Sequence, residues 1–261
     1  MIIFCKTTRE HFGNLLMMIG SIEKHNRDNL KLYLAMPERD LGELEIDNIN
    51  HEIISENDIV NLKDVRINGW YKQQIFKFEF CRNMSSEDCL IIDSDGFFIK
   101  DFYKSDFYNE DGKLYTVMHR FDKIIEDYKY VGIPYNKNFN IFKSLRTHIK
   151  DIFRDEGELY EYGPPPVLWS KKVIKDFDKN YLQKNKKTFE DIIKQTPLEY
   201  NWYGEWLLKR KIIDVVPISP LFKNIHSQQE YEKMKELEIT QDDLMMDYFG
   251  INMNIKGRLT Y

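Results

Sequence analysis

Short apolar runs alternate with helix-like segments along the first hundred residues of the chain. One segment, capped by Asn14, carries Leu15, Ile19 and Ile22 at helical spacing, and a second segment opens at Gly69. Alternation of this kind predicts a parallel sheet with helices packed on its faces. The predicted strands, which are short and poor in charge, span residues 2–5, 31–36, 51–55 and 89–92.

The pattern is less regular in the second half, but it still predicts a mixture of strands and helices. Three consecutive prolines at 164–166 interrupt it with a stiff extended turn. No repeat or low-complexity linker marks a domain boundary, so we expect an α/β fold with a helical C-terminal elaboration. The predicted elements are strands at 114–118 and 212–216 and helices at 137–153, 169–177, 188–194, 199–209 and 227–249.

The strand at 89–92 ends in the sequence Asp93-Ser94-Asp95-Gly96. Residues i and i+2 of an extended chain point to the same side about 6–7 Å apart, so the two carboxylates share a side. Two carboxylates at so short a distance repel each other and therefore favour the binding of a divalent cation such as Mg²⁺ or Mn²⁺. Such an ion keeps coordination positions open for phosphate oxygens. The alternative is an acidic turn that follows a core strand.

Composition narrows the classes of protein. The chain has 261 residues, 42 % of them hydrophobic and 31 % charged, which suits a globular protein. Its net charge of −5 argues against general binding of nucleic acid. The three cysteines, Cys5, Cys81 and Cys89, form no CxxC pair and are expected to be reduced thiols. No signal peptide or long apolar run is visible, so we expect a cytoplasmic protein.

Several motifs together resemble bacterial glycosyltransferases of the GT-A type, close to the DUF6492 group. These motifs are Thr7 at a strand end, GWYKQQ at 69–74, DSDGFFIKDF at 93–102, PPPVLWSKKV at 164–173, EYNWYG at 199–204 and His226 in FKNIH. The resemblance implies a Rossmann-like, mostly parallel nucleotide-binding sheet flanked by helices. It divides the chain into a catalytic domain at 1–226, with a nucleotide-sugar half at about 1–105 and an acceptor half at about 106–226, and a helical tail at 227–261.

The resemblance also implies a donor site with Mn²⁺ or Mg²⁺. Asp95 is the expected main metal ligand and Asp93 contacts the metal or the ribose, while His226 completes the metal shell as the family's late histidine. The remaining expected donor-binding residues are Thr7, Lys72 and Gln73, with Gln74 as the alternative to Gln73. The alternatives are a turn at Thr7, a solvated helix face at Lys72 and a histidine with a surface or core position.

An inverting transferase needs a base for the acceptor hydroxyl, and Glu199 and Glu205 are the candidates. A carboxylate at a helix N-terminus is stabilised as the anion, whereas burial acts in the opposite direction, so the sequence leaves its pKa open. A helix-capping glutamate is the alternative. The expected acceptor site has Pro165 as a rigid wall and Trp169, Trp202 and Tyr203 as stacking faces, with core packing as the alternative for the aromatic residues.

These expectations describe a metal-dependent transferase that moves a sugar from a nucleotide-sugar donor to a saccharide or lipid-linked saccharide acceptor. UDP is the expected nucleotide. The expected setting is bacterial surface polysaccharide or lipo-oligosaccharide synthesis. Peripheral contact with an anionic membrane is a further option, as is oligomerisation. Two rival functions are a haloacid-dehalogenase-like phosphatase with Asp93 as nucleophile and a non-catalytic nucleotide- or sugar-binding module. The lysines that suggest membrane contact are Lys171, Lys172, Lys175, Lys179, Lys184, Lys186 and Lys187.

Overall fold

The computed structural model describes residues 1–62, 67–85, 87–130 and 137–253. Its strands are β1 (Ile2–Lys6), β2 (Leu32–Met36), β3 (His51–Ser55), β4 (Cys89–Ile92), β5 (Gly96–Phe98), β6 (Thr116–Val117), β7 (His119–Arg120), β8 (Tyr160–Glu161), β9 (Val167–Trp169), β10 (Pro217–Ile218), β11 (Phe222–Ile225) and β12 (Gly250–Met253). Its α-helices are α1 (Phe12–His25), α2 (Glu56–Ile59), α3 (Gly69–Asn83), α4 (Phe121–Tyr130), α5 (Lys137–Phe153), α6 (Lys171–Phe177), α7 (Phe189–Gln195), α8 (Glu199–Arg210), α9 (Gln228–Glu236) and α10 (Gln241–Asp247).

The main sheet has five strands in the order β3-β2-β1-β4-β9. The first four strands are parallel, and β9 runs antiparallel to β4 at the edge. This confirms the predicted α/β fold with a mostly parallel sheet. Because β1 and β4 are central and covered on both faces, their side chains are buried and their sequences are continuous apolar runs rather than alternating ones.

Helix α3 lies deep in the core. Phe80 of α3 stacks on Phe4 of β1 with ring centroids 4.1 Å apart, and Phe78 stacks on Phe189 of α7 at 3.8 Å. Full burial of each of these rings contributes about 1.5–3 kcal/mol to the stability of the fold. The helix therefore has apolar neighbours on several sides. The two charged side chains in its buried part, which runs from Gln74 to Cys81, are Lys77 and Glu79.

The prediction of a helix over 169–177 was wrong at its start. Trp169 is the last residue of β9, where it pairs with Cys89, and α6 begins two residues later at Lys171. The sequence Val167–Trp169 satisfies the open edge of β4, and a strand of three residues is too short to show its own periodicity.

Four other predicted elements differ in detail. Asn14 is not the cap of α1, because a 3-10 turn at Arg9–His11 precedes the helix and His11 occupies the cap position. The strand predicted at 114–118 is confined to β6. The strand predicted at 212–216 is absent, since β6 pairs only with β10 at 217–218, beyond the left-handed Lys211 (φ 48°) that ends α8.

The predicted helix at 227–249 is two helices, α9 and α10. Glu238 adopts a left-handed conformation (φ 54°) between them, and the Thr240 side chain caps α10. The chain then forms β12, which pairs in parallel with β11 and antiparallel with β5. The segment after 227 therefore includes a strand as well as helices. No helix in the described residues is long and apolar enough to cross a bilayer.

Candidate active site

The carboxyl ends of the four parallel strands lie along one edge of the main sheet, where open α/β sheets bind ligands. A cavity of about 710 Å³ opens beside the end of β4. Asp93 follows β4 and lines this cavity. Pro165 lines it as well, because β9 is antiparallel to β4 (Ile91 pairs with Val167) and the chain enters β9 where β4 ends.

Helix α3 supplies one wall of the cavity. Its first turn is held by Asn68, whose side chain accepts a hydrogen bond of 2.8 Å from the Trp70 backbone N–H. Trp70, Gln73 and Lys77 all line the cavity. Residues spaced by three and four positions share one helix face, so this stripe places the tryptophan in the first turn and the lysine about 10 Å further along the helix.

Lys77 is the centre of a buried charged cluster. Its ammonium lies 2.7 Å from Asp93 Oδ1 and 3.1 Å from Glu199 Oε1, and it donates to the Tyr200 hydroxyl at 2.6 Å. Burial acts to lower the pKa of Lys77, but Asp93, Tyr200 and Glu199 together raise it well above its usual value. The lysine is therefore cationic, and it joins the end of β4 to the start of α8.

Glu199 is the first residue of α8 and lines the cavity. Its backbone N–H donates to Gln74 Oε1 at 3.3 Å, and Gln74 Nε2 donates to the Trp70 carbonyl at 3.2 Å. Gln74 therefore ties the start of α8 to the first turn of α3. Burial raises the pKa of Glu199 even though Lys77 acts to lower it. Burial therefore determines the direction in which the pKa of Glu199 is shifted, which the sequence left open.

Asp95 is positioned by the turn between β4 and β5. Its carbonyl accepts a hydrogen bond of 3.0 Å from the Met253 backbone N–H of β12. Burial, with a further contribution from the nearby Asp93 carboxylate, raises the pKa of Asp95 to about 7. The nearby Lys77 ammonium acts to lower the pKa of Asp95, but its effect is smaller than those of burial and Asp93.

His226 lies on the far side of the cavity, directly after β11. Burial lowers the pKa of its ring, although Glu230 acts to raise it, so the imidazole is neutral near pH 7. Its backbone N–H donates to Glu230 Oε2 at 2.9 Å, and Glu230 Oε1 is 3.1 Å from Lys223 Nζ. Within the described part of the chain, Asp93, Asp95 and His226 are not grouped as three side chains around one metal position.

The cavity brings together five of the residues predicted from the sequence. These residues are Gln73, Asp93, Pro165, Glu199 and His226. The other predicted residues, including Asp95, are not among the residues that line it. Thr7 is buried after β1 and its backbone N–H donates to the Ala35 carbonyl at 2.9 Å. Lys72 is half-buried on α3, on another face from Trp70 and Gln73.

The three aromatic residues predicted to stack on an acceptor are core residues. Trp169 lies at the opposite end of β9 from Pro165, where it stacks on Tyr203 with ring centroids 5.4 Å apart. The Tyr203 hydroxyl accepts a hydrogen bond of 2.8 Å from the Ser170 backbone N–H. Trp202 donates through Nε1 to the Thr196 carbonyl at 2.8 Å. All three are at most 5 % exposed and none of them lines the cavity, so no sugar bound there reaches their faces.

Glu205 has a structural partner. Arg154 makes a two-pronged ion pair with it, with Nε 2.6 Å from Oε2 and Nη2 3.0 Å from Oε1. Glu205 is buried and is not among the residues that line the cavity. Of the two carboxylates predicted as bases, Glu199 is therefore the one that faces the cavity.

Sequence reasoning missed Lys77, Tyr200 and the exposed Trp70 of the cavity wall. A signal for Lys77 was available: a lysine inside the apolar run Ile75–Phe80 is a charge that the fold must bury and pair. Its position seven residues after Trp70 also places the two on one helix face. The partners of Lys77, by contrast, come from β4 and α8 and required the fold.

A family model of unknown function, DUF6492, matches residues 2–246. The chain belongs to the DUF6492 family. No curated protein sequence matches this DUF6492 protein. Among solved structures, the bifunctional glycosyltransferase WbbM is similar over 96 % of this chain and 45 % of its own, with 12 % identity and a TM-score of 0.54. The galactosyltransferase LgtC, solved with donor and acceptor sugar analogues, is similar over 99 % of this chain and 84 % of its own, with 13 % identity and a TM-score of 0.47.

At this identity the likeness to WbbM shows the fold alone, and this DUF6492 protein covers less than half of the WbbM chain. The fold is the mostly parallel α/β arrangement expected from the sequence, it is similar to that of the glycosyltransferase WbbM, and its central parallel strands end at the cavity. The function is a separate question, which the side chains of the cavity address.

Proposed function

We propose that this DUF6492 protein is a glycosyltransferase that moves a sugar from a nucleotide-sugar donor to a saccharide acceptor. The observation that carries this proposal is the buried cluster of Lys77, Asp93, Glu199 and Tyr200, which lies in a large cavity at the carboxyl edge of the parallel strands. A buried cation and a buried carboxylate with a raised pKa at one cavity suit a reaction that releases an anionic nucleotide and removes a proton from a hydroxyl.

The donor is proposed to lie against the end of β4. The Lys77 ammonium holds Asp93 in place and adds positive charge where the leaving diphosphate becomes more negative. Gln73 lines the same cavity and offers an amide to a sugar or ribose hydroxyl. Thr7 and Lys72 remain proposed donor contacts on the basis of their motif positions, and UDP is the proposed nucleotide.

The donor site is proposed to use Mn²⁺ or Mg²⁺. The residues present fit such an ion, because Asp93 and Asp95 supply two neighbouring carboxyl groups, and burial and the Asp93 charge outweigh the nearby Lys77 and raise the pKa of Asp95. Magnesium sites often use one or two carboxylates together with substrate phosphates, so three gathered side chains are not required. Asp95 and Asp93 would hold the ion. The neutral His226 is not grouped with them in the described residues, so it is a proposed third ligand on the basis of its motif position alone. The bound ion would neutralise charge on the departing diphosphate.

Glu199 is proposed as the base that takes the proton of the acceptor hydroxyl. Burial brings its pKa closer to the pH at which proton transfer is efficient. Its hydrogen bond to Lys77 fixes the position of Oε1 and leaves Oε2 for the acceptor. This role requires an inverting reaction.

The proposed setting is bacterial surface polysaccharide or lipo-oligosaccharide synthesis, on the cytoplasmic side of the membrane. Peripheral membrane contact is a separate proposal. A second concavity is lined by Lys104, Lys171, Lys172 and Lys175. Met1 and Asp88 line it too, so it lies beside the amino ends of β1 and β4. This is the sheet edge opposite the active cavity. Flotation with anionic liposomes, compared with neutral ones, tests the contact.

A thermal-shift panel of UDP, GDP, CMP and phosphate, each with and without Mn²⁺, tests the donor site. A ligand that binds only the folded state stabilises it by about 2.7 kcal/mol at a hundredfold excess over its Kd. We expect one nucleotide to raise the Tm in the presence of Mn²⁺, and Asp95→Ala to abolish the shift. Asp111→Ala, on an exposed turn, serves as the matched control and should keep it.

The rival functions give different results in the same panel. Stabilisation by phosphate alone would indicate a phosphatase that uses Asp93, an alternative that the glycosyltransferase-like fold does not favour. A nucleotide shift without any turnover of nucleotide sugars would indicate a binding module. If none of the ligands raises the Tm, the donor-site proposal is wrong.

A further inference from the structure

Trp70 differs from the other tryptophans of the chain. It is 44 % exposed, whereas Trp169, Trp202 and Trp206 are 1 %, 1 % and 6 % exposed. The chain has four tryptophans, so Trp70 is its single exposed indole. The ring lines the active cavity, and its backbone is fixed by Asn68 and by Gln74. An aromatic residue with a fixed backbone is therefore left partly uncovered by protein at the cavity.

A second group in the same cavity lacks a partner. Asn201 is 1 % exposed, and its Nδ2 donates to the Tyr160 carbonyl at 3.2 Å. Its Oδ1 is buried without a hydrogen-bond partner among the described residues, although Asn201 lines the cavity. A buried amide oxygen without a donor costs free energy, so a ligand hydroxyl that donates to it would be favoured.

These two groups are connected through the proposed base. Gln74 bonds both the Trp70 carbonyl and the Glu199 backbone N–H, which brings the first turns of α3 and α8 together. Asn201 follows Glu199 by two residues on α8. Lys77 lies about 10 Å deeper along α3, beside Asp93, where the donor is proposed to bind. Trp70 and Asn201 thus lie near Glu199, and Trp70 is farther along α3 from the proposed donor position than Lys77 is.

We infer that the first turns of α3 and α8 form the acceptor subsite, with a saccharide ring against the Trp70 indole and one of its hydroxyls donating to Asn201 Oδ1. This inference rests on the proposed function, because it takes the end of β4, beside the buried charged cluster around Lys77, as the donor site. Phe142, which is 42 % exposed, adds a second aromatic surface to the same cavity. The subsite therefore suits a pyranose with one apolar face and polar edges, bound at the mouth with its reacting hydroxyl near Glu199.

Acrylamide quenching of tryptophan fluorescence tests this inference without turnover. Acrylamide quenches exposed indoles, so the quenched fraction in the wild type reports Trp70, and Trp70→Phe should remove it. The probes are maltose, lactose, cellobiose and mannobiose, each alone and with UDP and Mn²⁺. We expect at least one disaccharide to protect Trp70 from acrylamide. Asn201→Ala should weaken that protection by about five- to tenfold in concentration, and Met246→Ala, at a position 83 % exposed and outside the cavity, should not change it.

The inference is overturned if none of the disaccharides protects Trp70. It is also overturned if UDP without sugar protects it, because the indole would then be a platform for the nucleobase. Protection by a disaccharide in a protein that shows no nucleotide-dependent Tm shift would support the saccharide subsite and contradict the donor site. The two proposals can therefore fail separately.

Discussion

Glu199 shows how a single side chain is prepared by its surroundings. It is buried at the start of α8, it shares the Lys77 ammonium with Asp93, and its pKa is raised by burial. If it is the base, its function depends on an oxygen that accepts a proton and not on the shape of the side chain. A substitution that keeps the shape and removes the basicity therefore separates its catalytic function from a structural one.

We expect Glu199→Gln to lower kcat by about 10²–10⁴-fold, the usual contribution of general base catalysis, while the Kd of the donor nucleotide changes little. Turnover of a nucleotide sugar and the nucleotide Tm shift measure the two quantities. Glu205→Gln is the comparison variant, because Glu205 faces Arg154 and should keep most of the turnover while the protein is folded. Wild-type turnover in Glu199→Gln would remove this assignment.

Asp95 makes the stability of the metal-free protein depend on pH. Its pKa is about 7 in the folded protein and about 3.9 in an unfolded chain. Between these values the folded state holds a proton that the unfolded state has lost, so the free energy of unfolding decreases as pH rises from about 4 to about 7. Urea unfolding in EDTA should show a shallower decrease for Asp95→Asn than for the wild type. Equal slopes would show that Asp95 does not titrate in this range.

Some residues of the site were predictable because the motif itself carries the chemistry. The carboxylates of DSD follow an apolar strand, and Pro165 and Glu199 belong to motifs with distinctive sequences. The faces of Trp169, Trp202 and Tyr203 were not predictable, because a sequence shows that a residue is aromatic and not which surface its ring meets. Lys77 was overlooked because its three partners are separated from it by 16 to more than 120 residues.

At the scale of elements, α8 approaches β8 so closely that one position on the helix has no room for a side chain. A Cβ on Gly204 would lie 2.1 Å from Tyr162 Cδ1, and Tyr162 is buried. This contact sets the position of the helix whose first turn carries Glu199 and Asn201. The glycine is therefore a packing requirement of the site, even though it lies a turn away from the cavity.

We expect Gly204→Ala to lower the free energy of unfolding by about 1–3 kcal/mol, because the Tyr162 ring must shift. Urea denaturation measures the change. Gly20→Ala on α1 is the matched control: a Cβ there meets nothing within 4 Å, and alanine favours a helix interior over glycine by about 0.5–1 kcal/mol. Equal effects of the two substitutions would mean that Tyr162 accommodates the methyl group.

The elements that sequence analysis located well are those with strong local signals. Strands β3 and β4 and helix α5 have the predicted bounds, because an apolar run or a long periodic pattern specifies them. Apart from the cap of α1 and the division of the C-terminal helix, the errors concern short strands such as β9, β10 and β12. A strand this short is defined by its partner, and its partner lies far away in the sequence.

At the scale of the whole molecule, the segment after residue 226 contributes to the body of the fold. Strand β12 lies between β11 and β5, and Asn252 donates a hydrogen bond through Nδ2 to the Pro165 carbonyl. A Cβ on Gly250 would lie 2.3 Å from the Phe97 carbonyl, so the two strands are in close contact. These contacts join the C-terminal segment to both the DSD turn and the proline wall.

Native-state hydrogen exchange tests this integration. If β12 belongs to the same cooperative unit as β5, the amides of Ile251 and Met253 should exchange with opening free energies similar to that of Phe98. Exchange of β12 at a much lower free energy, comparable to that of the exposed α10, would show instead that the segment opens separately and that the predicted division at residue 226 is real.

The pairing of β5 also has a consequence for synthesis on the ribosome. Phe98 pairs with Gly250, which is synthesised more than 150 residues later. At an elongation rate of about 5–20 residues per second this interval is about 8–30 s, during which the parallel strands β1–β4 can already assemble. Met253, whose backbone N–H donates to the Asp95 carbonyl, is made still later. The parallel strands can therefore assemble before the turn at Asp95 is held in place. If that turn is the donor site, a ribosome-bound chain that ends before residue 250 is expected to be unable to hold a nucleotide sugar.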